Sequence, residues 1–185
     1  MSMVSLSPGI LLIADPFLKD PNFARTVVLL CEHEEKGSFG FVINKLFDQS
    51  LDDLVPEVLI NNIPVYYGGP VQMDTIHFIH RQPDLIAGGL EILPGIYWGG
   101  RFDEVVAALN KGLLEPKQIK FFIGYSGWTE GQLEEEVKEK SWILSQPDAT
   151  LVFEPREQQI WQQSLKNLGS AFAMMANYPI DPSLN

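Results

Sequence analysis

The stretch that decides the fold is Ile119–Trp142, IKFFIGYSGWTEGQLEEEVKEKSW. Its opening, Lys120 to Tyr125, is apolar and aromatic, and such side chains suit a pleated, half-buried strand. Ser126-Gly127 predicts a break into a turn. Thr129 and Gln132 then stand three residues apart, the spacing of a capping box. In that motif the hydroxyl accepts from the third helical N–H and the amide side chain reaches back to the Thr N–H. Glu130, Glu134, Glu135 and Glu136 precede Lys138 and Lys140, the charge order that complements a helix dipole. The expected unit is strand, tight turn and short capped helix, and it carries Trp128 and Trp142.

Outward from this unit, strand signals dominate. Ile10–Ala14 is an unbroken apolar run closed by Asp15-Pro16, a buried strand followed by a turn. Arg25–His33 and Phe39–Asn44 are strands joined by a polar connector containing Gly37, which predicts an antiparallel hairpin. Ser50–Val55 opens a short helix, with Ser50 as cap and Asp53 three residues on, limited by Pro56. Val65–Tyr67 is a short strand running into Gly68-Gly69-Pro70, where two successive glycines call for unusual backbone angles or a close backbone approach. Thr75–Arg81 is a strand, and Gly88–Trp98 reads as two short strands around Pro94-Gly95.

Phe102–Asn110 is an amphipathic helix, with Phe102, Val105, Val106 and Leu109 at helical spacing and Gly112 just beyond its end. Beyond the central unit, Trp142–Leu144 and Thr150–Phe153 read as strands. A helix from Pro155 to about Leu168 follows, closed by Gly169. The first half of the tail is expected to pack and its end to fray. Strands outnumber helices and most connectors are hairpin-sized, which differs from the strand–helix alternation of a parallel sheet. The expectation is one α+β domain spanning residues 1–185: a largely antiparallel, curled sheet with three or four helices packed on it.

Charge narrows the partners. Net charge is -11, with 13 Lys and Arg against 24 Asp and Glu. Basic side chains neutralising phosphates dominate nucleic-acid affinity, and no five-residue window here is rich in them, so composition argues against direct nucleic-acid binding. A single cysteine, Cys31, excludes an internal disulfide and fits a reducing compartment. The N-terminus lacks a basic leader region and its apolar run is short, and no run approaches the length of a membrane span. A cytoplasmic protein with no membrane association is expected.

Several motifs stand in order: Gly9–Phe17, Asp20–Val28, Gly40–Asn44, Gly68–Val71, Gly124–Trp128, Gly131–Glu136, Trp142 and the closing Tyr178–Asn185. Together they resemble the YqgE/AlgH family of bacterial proteins over nearly the whole chain. The resemblance implies an α+β fold whose bent sheet closes toward a pseudo-barrel. It also implies a cytoplasmic protein labelled a transcriptional regulator, with no established molecular activity and no catalytic residues to carry over. Ser126 stands where the family more often has Ala, which weakens any nucleophile role for it.

The candidate chemistry has plain structural alternatives. Gly124-Tyr-Ser-Gly127 has the start of a nucleophile elbow, but Trp128 occupies the position that needs a glycine. Cys31 and His33 lie two apart on a strand and are expected to share a face, whereas His77 and His80, three apart, face opposite ways. That set falls short of a zinc site, so no metal or cofactor is expected. Gly68-Gly69 offers backbone N–H groups to an anion, yet no helix start with a lysine follows, and a structural turn is the simpler reading.

The acidic run Glu130–Glu136 is a solvated helix face or, at Glu136, part of a site. Gln132 and Glu136 lie one helical turn apart. If they face Tyr125 and Trp128, a polar pocket with aromatic walls results, with Asn44 a candidate to line it. Otherwise Trp128 packs in the core and Gln132 only completes the cap. The candidate ligand or partner surface is therefore Asn44, Gly68, Gly69, Tyr125, Trp128, Gln132 and Glu136. The expected function is binding or regulation through a protein or small molecule. The alternative is an enzyme of unknown reaction with its pocket at the Tyr125–Trp128 strand-to-helix turn.

Overall fold

In the computed structural model, which describes residues 3–180, the strand Ile119–Thr129 organises the chain. We number the strands in chain order: β1 Leu11–Ala14, β2 Val27–Glu34, β3 Gly37–Val42, β4 Val65–Tyr67, β5 Val71–His80, β6 Leu90–Leu93, β7 Ile96–Trp98, β8 Ile119–Thr129 and β9 Trp142–Ser145. The helices are α1 Leu51–Leu54, α2 Phe102–Asn110, α3 Gln132–Lys138, α4 Ala149–Val152, α5 Glu157–Asn167 and α6 Ser170–Met175.

One edge of β8 pairs with β5, from His80 opposite Ile119 to Val71 opposite Tyr125. On its other side, β4 runs parallel to its first half, with Val65 opposite Phe121 and Tyr67 opposite Ile123. Antiparallel β3 pairs with its second half, Gly40 opposite Ser126 and Gly37 opposite Thr129. The change of partner falls at Gly124, whose φ is +69° and where a Cβ would come 2.4 Å from the Gly69 carbonyl oxygen. Only glycine tolerates both the angle and the contact.

The strand path is β6-β7-β5-β8-β3-β2-β1-β9, with β4 attached to β8. Every pairing among these strands except β4–β8 is antiparallel. Among the described residues the ends of the path, β6 and β9, do not pair, so the sheet curls without closing. The α+β class with a bent antiparallel sheet is as expected, and the helices number six rather than three or four.

The hairpin β2–β3, the helix over Phe102–Asn110 and the capped turn at Ser50, whose N–H donates to Asp53 Oδ2, match their sequence signals. Two expectations fail. Ser126-Gly127 makes no turn: β8 continues to Thr129, and the chain turns at Glu130-Gly131, where Gly131 has φ +74°. The ladder with β3 holds these two residues extended, and tertiary pairing overrides their local turn preference. Thr150–Phe153 is not a strand but lies largely in α4, because Asp148 caps the segment by accepting from the Leu151 N–H at 3.1 Å. The expected fraying beyond Ile180, and the end of the Tyr178–Asn185 motif, lie outside the described residues.

Helices α4, α5 and α6 cover one face of the sheet, where Ile160, Trp161 and Leu165 join Leu11, Leu29 and Phe41 in a buried cluster. Trp161 Nε1 donates to the Ala14 carbonyl at 2.9 Å, and the Arg25 guanidinium stacks 4.7 Å over the Trp161 ring. The first half of the tail packs here through α6, as expected. A second cluster gathers α1 and α2 against Phe78 and Phe121. A third lies under α3 and holds Leu12, Val28, Trp128 and Trp142. No helix among the described residues is long and apolar enough to cross a membrane.

Candidate functional site

A cleft of about 620 Å³ opens where β3, β5, β7 and β8 converge. Strand alternation puts Phe39 of β3 and Tyr125 of β8 at its wall, beside His77 of β5 and Trp98 of β7. These four rings form a closed circuit. Phe39 meets Trp98 at 4.9 Å and Tyr125 at 5.9 Å, and His77 meets Tyr125 at 5.9 Å and Trp98 at 6.5 Å. Three of the four contacts are edge-on, the arrangement that aromatic quadrupoles favour. The buried Phe41 closes the circuit from beneath, 5.2 Å from His77 and stacked 4.7 Å from Phe122. All four wall rings are half-buried, so each retains surface for a ligand.

Two features give this apolar wall polarity. The Nε2 atom of His77 is buried without a hydrogen-bond partner among the described residues. Burial also pushes the His77 pKa down, which favours the neutral imidazole. At the rim stand Glu32, Glu34 and Lys36. Glu32 lies directly across from Phe39, and Glu34 across from Gly37, which has no side chain to cover it.

The rim carboxylates reach the cleft through a bulge. The register of β2 on β3 slips between Leu30 and Glu32, leaving Cys31 as the extra residue. Cys31 stays buried in the cluster with Leu29, while His33 pairs with Ser38 on the face that α3 covers. The expected shared face of Cys31 and His33 is therefore lost. Burial first, and the neighbouring Glu32 second, push the Cys31 thiol far above its usual range, so it is an inert core thiol. No group of three or more His, Cys, Asp or Glu among the described residues is placed to hold a metal ion.

The seven residues singled out in the sequence are not gathered in one place. Tyr125 and Trp128 line the cleft, but the Trp128 indole is committed elsewhere. Its Nε1 donates to Glu136 Oε2 at 2.7 Å, and Trp142 Nε1 donates to the same oxygen at 2.9 Å. Gln132 Nε2 donates to Glu136 Oε1 at 3.3 Å, while Gln132 Oε1 accepts from the Thr129 N–H at 3.0 Å. Half of the capping box is thus present, and the Thr129 hydroxyl turns to Gln132 instead of a helical N–H. Phe23 packs on both indoles, at 6.3 and 5.6 Å. Trp128, Gln132 and Glu136 form a clasp that locks α3 and β9 onto β8, separate from the aromatic circuit.

Asn44 lines no part of the cleft. Its Oδ1 accepts from the Val27 N–H and its Nδ2 donates to the Arg25 carbonyl, both at 2.9 Å, extending the β2–β3 pairing past the end of β3. Gly68 and Gly69 press against β8. A Cβ on Gly69 would lie 2.2 Å from the Tyr125 carbonyl carbon. The Gly68 N–H is already given to Ile123, and its carbonyl accepts from Val42 N–H and from Ser126 Oγ. The pair is a close backbone approach, with the Gly68 amide committed to β8 rather than to an anion. Ser126 is fully buried, which removes it as a nucleophile.

One array was absent from the sequence reading. Ser38 Oγ lies 2.6 Å from His33 Nδ1, and His33 Nε2 lies 3.4 Å from Glu134 Oε1. The order resembles a hydrolytic relay. Ser38 is nonetheless 9% exposed and paired on both sides, to His33 and to Trp128, which commits the neighbouring N–H groups to sheet ladders. Among the described residues nothing there offers the pair of free donors that an oxyanion requires. A smaller cavity of about 270 Å³ lies beside Tyr66 and Lys120, but the Lys120 amine is held by the carbonyls of Ile43 and Val152 at 2.7 and 3.0 Å.

Phe39, His77 and Trp98 were missed as site residues because they come from three strands distant in sequence. No spacing rule links them. The only signal was the alternation that put Phe39 and Phe41 on one face of β3.

Taken together, a curled antiparallel sheet and an aromatic cleft, with no complete catalytic set among the described residues, define a small α+β protein. The chain belongs to the AlgH-like family, whose model matches residues 11–173. It is 41% identical over 180 residues to the UPF0301 protein of Chlorobium phaeobacteroides, covering 97% of this chain and 96% of that protein. It is 38% identical over 181 residues to the UPF0301 protein of Cytophaga hutchinsonii, covering 97% of this chain and 100% of that one. The fold is similar to the solution structure of the AlgH protein from Pseudomonas aeruginosa, with TM-score 0.73 and 28% identity over 97% of this chain and 98% of that one. A protein from Corynebacterium diphtheriae shares the fold alone, with TM-score 0.73 and 19% identity over 96% of this chain and 95% of that one.

Proposed function

We propose that this protein binds a small ligand in the cleft between Phe39, His77, Trp98 and Tyr125, and that it acts through binding rather than catalysis. The observation that carries the reading is the closed circuit of four half-buried rings, one of them a histidine whose buried Nε2 has no partner among the described residues. A concave, largely apolar site with a few polar groups is the usual make-up of a small-molecule pocket. A buried polar atom without a partner carries a standing cost, and the ring that bears it lines the cleft.

Any regulatory role is then exerted through the bound ligand or a protein partner, in the cytoplasm, and not by direct contact with DNA. The net charge of -11 supports that last clause. A thermal-shift screen of a small-molecule library against the full chain and its Trp98→Leu variant tests the reading. Compounds that raise the melting temperature of the wild type and lose most of that effect on Trp98→Leu are expected. A library without such compounds contradicts it.

The second reading, an enzyme, rests on the Ser38–His33–Glu134 array. It requires turnover that disappears in Ser38→Ala.

A further inference from the structure

We propose that the ligand of the aromatic cleft is an organic cation, one carrying a quaternary or protonated amine. The inference rests on the cleft-binding reading above and adds the charge of the occupant.

Three observations converge. The first is the wall itself. Aromatic faces carry negative potential, and a cation placed over them is attracted by the ring quadrupoles. Here Phe39, Trp98 and Tyr125 meet at steep angles, 62° and 74°, so their exposed surfaces look in different directions around one space. That geometry surrounds a rounded cation better than it stacks a flat aromatic ligand.

The second is the rim. Glu32 and Glu34 sit two apart on β2, on the face shared with Phe39, and both line the cleft. Neither forms an ion pair among the described residues. By contrast, Glu135 and Glu154 are ion-paired, to Lys138 and Arg156. Among the described residues the one Lys or Arg on the rim is Lys36, so carboxylates outnumber it two to one. An anionic ligand would have to pass these carboxylates, whereas a cation is drawn in by them.

The third is the histidine in the wall. His77 sits among the rings and burial favours its neutral imidazole, so it adds no positive charge to oppose a cation. Its ring gives a hydroxyl or amine on the ligand a polar contact that a purely hydrocarbon pocket lacks.

Choline is the probe, compared with its neutral carbon isostere in which tert-butyl replaces trimethylammonium. The two share shape and differ in charge. Each is titrated into the full chain and followed by amide NMR shifts of Gly37, His77, Trp98 and Tyr125. Choline is expected to bind about tenfold more tightly than the isostere. In the Glu32→Gln/Glu34→Gln double variant the two are expected to come within about threefold, and added salt is expected to weaken choline alone. An isostere that binds as tightly as choline overturns the cation assignment and leaves the cleft reading intact. No cleft shifts with either probe overturns the cation assignment. If the library screen is then also empty, the cleft reading falls with it.

Discussion

The Tyr125 ring meets the His77 imidazole edge to face, with centroids 5.9 Å apart and ring planes at 84°. The contact joins β8 to β5 at the wall of the cleft and holds a histidine whose buried Nε2 has no partner among the described residues. An unpaired buried polar atom costs about 1–3 kcal/mol. Native proteins keep such costs where function uses the group.

Replacing that histidine therefore separates stability from binding. His77→Phe keeps an aromatic ring in the circuit and removes the unpaired nitrogen. The variant is expected to be more stable by about 1 kcal/mol in urea denaturation, and to bind cleft ligands more weakly. A variant less stable than the wild type contradicts the claim that Nε2 lacks a partner.

Glu136 is the keystone of the clasp. One carboxylate oxygen accepts from two indoles, at 2.7 and 2.9 Å. Glu136→Ala strips both Trp128 and Trp142 of their partner, and a loss of about 2 kcal/mol is expected. Glu136→Gln keeps a carbonyl acceptor and loses less. Cleft ligands should still bind Glu136→Gln, because the clasp stands apart from the aromatic circuit and meets the cleft only through Trp128, whose indole keeps an acceptor. Equal stability of Glu136→Ala and wild type sinks this account.

Gly69 is fixed by its neighbours. A Cβ there would sit 2.2 Å from the Tyr125 carbonyl carbon, and the residue has φ +151°. Gly69→Ala must push β8 away at the cleft wall and strain the backbone, at a cost on the order of 3 kcal/mol or more. Soluble expression and urea denaturation measure it. A loss below about 1 kcal/mol contradicts the close approach.

Lys120 sets a pH dependence. Burial pushes its amine down to about 7, against a smaller opposing effect of Glu157 and Glu154. The folded pKa lies below the unfolded value of 10.5, so between about 7 and 10.5 the unfolded chain binds more protons. Stability from this group therefore rises with pH across that window, and below it the cost of the buried charge is present in full. A neutral amine keeps two N–H donors for the Ile43 and Val152 carbonyls. The stability of the wild type relative to Lys120→Met is expected to grow as pH rises from neutral toward the unfolded value. A difference independent of pH rules out the buried, depressed amine.

Ser38 and Ser126 are expected to resist labelling by a fluorophosphonate probe. Ser126 is fully buried, and Ser38 lacks free N–H donors to support an oxyanion. Labelling at Ser38 that disappears in His33→Gln instead favours the enzyme reading.

Local signals carried much of the fold. The apolar run at Ile10–Ala14, the hairpin connector at Gly37 and the periodicity of Phe102–Leu109 each act within a few residues, and each element formed where its signal lies. Ser126-Gly127 misled because a turn-like pair was held extended by pairing with β3, a segment about ninety residues earlier in the chain. The Cys31 bulge reversed the faces of His33, Glu32 and Glu34, and alternation counting has no means of locating a bulge. The site was the least legible part. Gly124–Trp128, Gly131–Glu136 and Trp142 stand out in the sequence, yet most of their conspicuous side chains build the clasp. Tyr125 alone joins the aromatic circuit, and its partners arrive from β3, β5 and β7 only once the sheet has curled.

The most direct measurement is an amide NMR map of where a thermal-shift hit binds the wild-type chain. The account predicts the largest shifts at Gly37–Phe39, His77, Trp98 and Tyr125, with little change at Trp142 or around Tyr66 and Lys120. Shifts centred on the Glu136 clasp or on the Lys120 cavity, with the aromatic circuit unmoved, would contradict it.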